Sequence, residues 1–380
     1  MILGVDDDEL ALCVSCGLCL PHCPTFRVTG DESASPRGRI AAMRAVQAGA
    51  PVTSEFVTYM DLCVQCRGCE TACPSSVPFG RLMEGTRHTL ATRAGYQPWW
   101  RRLGFRVLGH HRLLVAATLL LALVQRARLV PRRLGLPRLP LRRRSLDATG
   151  SDVWLFTGCV MDAWMRSVHE AAVRVMTATG AGVRPTPPRA ACCGALAAHA
   201  GLVDLARRQA QEVVRSLPGQ QDVVVDSAGC GAFMKDYGRL LGAGGEEFAS
   251  RVSDVHEWLA ARTLPAGRPV PGRIAVQDPC HLRHVQRAHQ EVRRVLAPFV
   301  PELVEIGDDG LCCGAGGSYA AWHPEMAARI RDRKLAAIAA TGADVVVSAN
   351  PGCAMHLAAA GLDVRHPVEI IDQALAGGRD

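Results

Sequence analysis

The chain has 380 residues, 48% hydrophobic and 5% aromatic, with 43 Lys and Arg against 36 Asp and Glu and a net charge of +7. That length suits two or three domains with buried cores, and it argues against reading the sixteen cysteines as a disulfide framework, which belongs mainly to short secreted chains. The basic balance is local: between Gly85 and Leu146 there is no Asp or Glu and there are fourteen arginines, so the rest of the chain carries −7.

The first twelve residues are acidic and lack the apolar core of a signal peptide. With spaced cysteines, this points to a reducing cytoplasm. Cys13, Cys16, Cys19, Cys23 and Pro24 then spell C-x2-C-x2-C-x3-C-P, and Cys63, Cys66, Cys69, Cys73 and Pro74 repeat it. Three cysteines at this spacing wrap one face of a cubane [4Fe–4S] cluster, and the fourth, before proline, serves the other cluster in two-cluster ferredoxins. The expected sets are Cys13, Cys16, Cys19 and Cys73 for one cluster, and Cys63, Cys66, Cys69 and Cys23 for the other. Paired four-cysteine zinc sites are the competing reading, but they have no use for a cysteine before proline. Ser35 as N-cap with Pro36 behind it predicts a helix to about Ala48. A second helix is expected over Ser54 to Leu62, delivering Cys63.

The basic stretch contains Leu113 to Val124, apolar but for Thr118. It is too short to cross a bilayer. Two readings stay open: a helix packed on a core or partner, or, with arginines on both flanks, a helix lying on an anionic membrane surface. Pro131, Pro137 and Pro140 read as a linker beyond it. No nucleic-acid-binding motif accompanies the arginines.

From residue 151 the sequence repeats with a period of roughly 120 residues. One copy holds Cys159, Cys192-Cys193-Gly194 and Cys230; the other holds Cys280, Cys312-Cys313-Gly314 and Cys353. Strands are expected at 153–157, 222–226, 274–277 and 344–348. Helices are expected at 161–179, 195–217, 282–297 and 325–341. This alternation argues for a parallel sheet in each copy. Cys159, Cys230, Cys280 and Cys353 each follow a strand near a helix start, where open α/β sheets bind ligands and where the helix end favours negative charge. Gly194 and Gly314 allow positive φ or close approach of a bulky group. Four-cysteine zinc sites remain an alternative here. The glycine-rich pieces Gly314–Gly317 and Gly242–Gly245 fail the dinucleotide fingerprint at Tyr319 and Glu247, so the organic redox chemistry is expected on another chain.

These residues resemble the iron–sulfur subunit of glycolate oxidase. The likeness rests on the twin motifs, Ser35-Pro36-Arg37-Gly38-Arg39-Ile40, Cys66-Arg67-Gly68-Cys69-Glu70-Thr71-Ala72-Cys73-Pro74, Ala191-Cys192-Cys193-Gly194, Lys235-Asp236-Tyr237-Gly238, Leu311-Cys312-Cys313-Gly314, Arg331–Leu335 and Ser348–Cys353. The wider family of paired cysteine-rich CCG domains includes heterodisulfide reductase, glycerol-3-phosphate dehydrogenase and lactate-utilisation subunits. The resemblance implies an α + α/β chain: a helical two-cluster ferredoxin-like module (1–84), a basic helical connector (85–150), and two repeated CCG α/β domains with parallel sheets (151–265 and 266–380). It implies electron transfer from an FAD-containing 2-hydroxy-acid dehydrogenase partner to a membrane quinone or another carrier, with two [4Fe–4S] clusters and further clusters at the CCG sites. A peripheral place on the inner face of the cell membrane stays open beside the cytoplasm. The alternative is a heterodisulfide-reductase-like, lactate or glycerol-3-phosphate dehydrogenase iron–sulfur subunit, with thiol/disulfide chemistry at the CCG sites. One departure bears on it: the fuller CCG motif ends in CxxC, and here Phe233 and His356 stand in place of the last cysteine. His281 and His356 are candidates for tuning a cluster; His199, His256 and His366 are expected to be structural.

Overall fold

The structure is a computed structural model that describes residues 3–92, 96–130 and 136–378. Pro131 of the expected linker, and Arg93, Arg132 and Arg133 of the basic stretch, lie outside the described residues. The chain divides into two compact units. Unit 1 comprises Met1–Phe105, Leu196–Ala206 and Leu311–Ala336; unit 2 comprises Arg106–Ala195, Arg207–Gly310 and Ala337–Asp380.

Unit 1 is built from short helices. Pro36–Gln47 starts as its sequence dictates: the Ser35 hydroxyl accepts from Gly38 N at 3.0 Å, and Pro36 occupies the first turn. Gly38 is obligatory, because a Cβ there would sit 2.0 Å from Glu32 O. Thr53 caps Ser54–Asp61 in the same way, accepting from Phe56 N at 3.2 Å. Ile40, Met43, Met60, Leu82 and Met83 close one apolar core. The helix Phe79–Thr92 runs across the expected border at 84–85.

Unit 2 carries two parallel four-stranded sheets of matching topology. In the first, β1 (Val153–Phe156), β2 (Val183–Pro185), β3 (Asp222–Val225) and β4 (Val252–Asp254) are ordered β2-β1-β3-β4. In the second, β5 (Ile274–Gln277), β6 (Leu303–Glu305), β7 (Val345–Ser348) and β8 (Val364–Arg365) are ordered β6-β5-β7-β8. The inner pairs share their register, with Phe156 opposite Val225 and Gln277 opposite Ser348. Strands covered on both faces read as continuous apolar runs, and the four strands foreseen from sequence are these inner ones. The helices Arg166–Ala178 and Pro367–Gly377 join both copies in one core through Val168, Ala172, Ile371 and Ala374.

Three expected helices are each divided. The 161–179 stretch forms Val160–Trp164 and Arg166–Ala178, broken at Met165 (φ −131, ψ 39). The 195–217 stretch forms Ala195–His199 and Val203–Ser216, with Gly201 at φ +79 between them. The 282–297 stretch opens as a π-helical turn, His281–Gln286, and resumes at His289–Leu296 after Arg287 at φ +58. In each case the first piece adjoins a cysteine-bearing turn, so the helix restarts once the cysteines are placed. Among the described residues, no single helix is long and apolar enough to cross a membrane.

Candidate metal centres

In unit 1 both cysteine motifs use the same backbone device. Ser15 and Gly17 lie at φ +57 and +87 in the first loop, and Gln65 and Arg67 at φ +58 and +60 in the second. Each loop therefore turns left-handed immediately before and after its middle cysteine. Three of these four positions carry side chains, and such conformations persist in folded proteins only where surroundings enforce them. In the second loop the turn brings Gln65 N within 3.4 Å of Cys63 Sγ.

Cys63, Cys66 and Cys69 line one cavity together with Cys23 of the first motif, which caps the helix Pro24–Thr29. Arg39, 1% exposed, lines the same cavity. Its hydrogen bonds go to Tyr59 O (2.8 Å), Thr25 Oγ1 (3.2 Å) and Cys23 Sγ (3.9 Å) and, among the described residues, to no carboxylate. Beside it, Arg87 donates to Met60 O and Cys63 O, both at 2.7 Å, and to His199 O at 2.9 Å. The nearby Asp31 carboxylate, which Arg39 helps to hold below its usual range, makes no direct bond to Arg39, and a buried guanidinium gains from a countercharge in contact. Four thiolates around an iron–sulfur core are anionic and supply that charge, so the residues present fit such a group. Burial pushes the Cys63 and Cys69 thiols up, Cys69 further through Cys66 and Cys63.

The other set, Cys13, Cys16, Cys19 and Cys73, is more open. Cys16 is exposed and the other three are half-buried. Cys13, Cys19 and Cys73 pack against the apolar core of unit 1. Arg44 donates to Cys13 O at 2.7 Å and Arg37 to Ser15 O at 2.9 Å, holding the loop from outside. Burial raises the Cys19 thiol.

Unit 1 also holds the second Cys-Cys-Gly turn. Cys312 and Cys66 are hydrogen-bonded through their sulfurs, which lowers the Cys66 thiol. Gly314 sits at φ +89, and a Cβ there would stand 2.6 Å from Ala327 O. The buried Tyr319 ring lies close enough to Cys63 and Cys312 for both thiolates, after burial itself, to raise its hydroxyl.

In unit 2 the first repeat gathers all four of its cysteines. Cys159 caps Val160–Trp164 just beyond β1, and Cys230 lies in the first turn of Ala228–Met234 beyond β3. Their thiols form a hydrogen-bonded chain, Cys159 to Cys192 to Cys193 to Cys230. Hydrogen bonds from both neighbours pull the Cys192 thiol well below its usual range, while Cys159 and Cys193 are pushed up. Tyr237, fully buried, donates to Cys193 O at 2.7 Å and fixes the turn. Leu114 of the helix His111–Arg126 packs on Cys159 and Cys192. Phe233, at the place of the missing fifth cysteine, is buried with its ring edge-on to Tyr237 at 5.7 Å.

The second repeat's Cys280 and Cys353 are buried in unit 2, while Cys312 and Cys313 belong to unit 1. Asn350 Nδ2 donates to Cys353 Sγ at 3.5 Å, and its Oδ1 accepts from Gly229 N at 3.1 Å. Ala228 N donates to Ala349 O at 3.0 Å, so the loops leading to Cys230 and Cys353 are stitched together. His281 opens the π-helical turn; a Cβ on Gly229 would lie 3.9 Å from its Nδ1. His356 is half-buried in the last turn of Pro351–Ala358. His199 places Nε2 4.0 Å from Glu84 Oε1. His256 and His366 are buried and stacked, ring centroids 5.5 Å apart.

Arg39, Arg87, Tyr237 and Tyr319 are site residues that sequence reasoning misses. Arg39 and Tyr237 stand inside motifs that serve there only as marks of likeness, and Arg87 falls within the basic stretch. Among the described residues, no three Cys, His, Asp or Glu side chains gather tightly enough for a single metal ion.

Comparison with known proteins adds the family evidence. A 4Fe-4S dicluster domain matches residues 9–77, and a cysteine-rich domain matches twice, over 153–235 and 274–358. The glycolate oxidase iron-sulfur subunit of Escherichia coli is 32% identical across 97% of this chain and 95% of its own length. The probable glycolate oxidase iron-sulfur subunit of Bacillus subtilis is also 32% identical, over 93% of this chain and 89% of its own. A subunit of the dihydromethanophenazine:CoB–CoM heterodisulfide reductase of Methanosarcina barkeri is 27% identical over 92% of this chain and 88% of its own.

Proposed function

The chain belongs to the glycolate oxidase iron–sulfur subunit family, and from that premise we propose that it is the electron-transferring subunit of a glycolate-oxidising complex. Glycolate is oxidised to glyoxylate on an FAD-containing partner, and this chain passes the electrons to a membrane quinone. When bound, iron–sulfur clusters supply the one-electron carriers. The chain's own residues hold and insulate them. Cys23, Cys63, Cys66 and Cys69 are the ligands of the buried site, and Arg39 offsets its charge. Cys13, Cys16, Cys19 and Cys73 are the ligands of the open site, with Cys16 nearest solvent and suited to exchange with a partner. Cys159, Cys192, Cys193 and Cys230 hold a further cluster, and by the repeat so do Cys280, Cys312, Cys313 and Cys353. His281 and His356 are tuning residues, each within a few residues of a ligand cysteine. The contact of Cys66 with Cys312 supports direct passage between the ferredoxin-like module and a CCG site, because it puts ligands of two sets side by side.

The observation that carries this reading is the four-cysteine cavity with a buried guanidinium bonded to one of its sulfurs. Thiol–disulfide catalysis is less well supported, since a packed phenyl ring fills the fifth-cysteine position. The membrane placement is supported by the arginine-rich stretch, which has no acidic residue. Anaerobic purification with iron analysis and EPR tests the proposal: about eight irons are expected from the twin motifs alone, with more from the CCG sites. Iron-free protein with intact thiols overturns it. Glycolate-dependent dye reduction by the isolated chain would move the organic chemistry here and overturn the division of labour between the two chains.

A further inference from the structure

Unit 2 has a second feature that no cysteine touches. A cavity of about 420 Å³ lies between the helix His111–Arg126, the segment 138–144 and the helices Val160–Trp164 and Arg166–Ala178. One wall is cationic, with Arg138, Arg142, Arg143, Arg144 and Arg166 against only Asp162 and Glu170. Asp162 is 2% exposed and already paired with both Arg143 and Arg166, and Glu170 meets Arg144 at 3.9 Å. Among the described residues, Arg138 and Arg142 have no carboxylate partner. The opposite wall is apolar: Val115, Leu119, Ala163 and Trp164.

A cavity with spare guanidinium forks and an apolar wall recognises an oxyanion carried on an apolar body. The helix His111–Arg126 says what that body is. Its inner face buries Leu114, Thr118 and Ala122. Its outer face presents Leu113, Leu120 and Leu123 at 56%, 64% and 57% exposure, spaced to form one stripe. Leu119 belongs to both the cavity lining and the exposed set, so the cavity opens onto that outer face. A free soluble anion would have no use for the leucines.

We propose that this cavity seats the phosphate of an anionic membrane phospholipid, with its acyl chains along the leucine stripe. This deepens the membrane placement proposed above and rests on it, but it is independent of the electron-transfer role. Arg138 and Arg142 are the headgroup ligands, and Trp164 and Leu119 the wall at the glycerol level. The same helix covers Cys159 and Cys192 with its other face, so a seated lipid holds the first CCG site against the bilayer.

The test is sedimentation of the full, anaerobically purified chain with vesicles of phosphatidylcholine alone, and of phosphatidylcholine mixed equally with phosphatidylglycerol. Binding is expected to the mixed vesicles only. The double variant Arg138→Gln/Arg142→Gln should weaken it about thirtyfold, with iron content, EPR spectrum and melting temperature unchanged. Arg112→Gln/Arg128→Gln removes the same charge outside the cavity and should lose less. Equal losses for the two pairs overturn the seat while leaving a diffusely charged membrane surface. Absence of wild-type binding overturns both the seat and the membrane placement, and leaves the relay standing on its iron content. Displacement from the vesicles by millimolar inorganic phosphate, at constant ionic strength, overturns the lipid in favour of a free anion.

Discussion

The two repeats of unit 2 share strand order, register and cysteine placement, yet they secure their inner strand ends by opposite chemistry. Behind β1 and β3, the fully buried His169 places Nε2 2.9 Å from Thr157 O and Nδ1 2.6 Å from Asp226 Oδ2. Both ring nitrogens face acceptors, so both must donate. The Asp226 carboxylate outweighs the penalty of burial, and the His169 pKa is raised. Behind β5 and β7, the equivalent places hold Gln277 and Ser348. Ser348 donates to Gln277 Oε1 at 2.6 Å, and Gln277 donates to Asp278 O at 2.6 Å. The nearby Asp278 charge is met by Arg293 and Arg283, which reach towards the surface. The backbone is what repeats; the first copy places its charge within the clamp, and the second places it beside a neutral one. Thr157 and Asp226 open the two loops that carry Cys159 and Cys230, so the charged clamp fixes the spacing of those two cysteines.

The largest break in this comparison is Asp226→Ala. It strands a buried imidazolium, which costs about 3–5 kcal/mol. Chemical denaturation of the anaerobic protein should show that loss, and iron should leave the first CCG site before the others. Its counterpart, Ser348→Ala, leaves one amide oxygen unsatisfied and should cost about 1–3 kcal/mol. Equal costs in the two copies would mean that the charged pair is no stronger a clamp than the neutral one.

How much of this was legible in sequence follows from the range of each interaction. The cysteine spacings act over a few residues, and the inner strands are continuous apolar runs, so both were readable. The outer strands β2, β4, β6 and β8 are two or three residues long, too short for any periodicity to declare them. The break at Met165 has no glycine or proline to announce it. Arg39 and Arg87 are charged residues whose burial depends on distant main-chain oxygens, so composition counts Arg87 in the basic stretch and says nothing of its burial. His169 had a visible signal: Val168, Ala171, Ala172 and Val175 beside it are all core residues, and a lone histidine on such a helix face demands a buried partner.

A smaller effect, close to nil at neutral pH, separates the two histidines that meet at Asp226. His366 caps Pro367–Gly377, accepting from Val368 N through Nδ1, and donates Nε2–H to Asp226 O at 3.0 Å. Burial, then the neighbouring His256, lower its pKa to about 3. An unfolded histidine titrates near 6.5. Below that pH the unfolded chain takes up a proton that folded His366 refuses, so stability falls as the pH drops from about 6.5 towards about 3. His169 has the opposite sign: its contribution is fully present below about 6.5 and is lost as pH rises through its raised folded value. Subtracting the stability curve of His366→Gln from that of the wild type should therefore leave a difference that grows only on the acid side. The curve of His169→Gln should differ from wild type most in acid and converge with it as the pH rises. A His366→Gln difference that is flat across the acid range would mean that His366 is protonated in the fold, and its bonds to Val368 N and Asp226 O could not then both be as described.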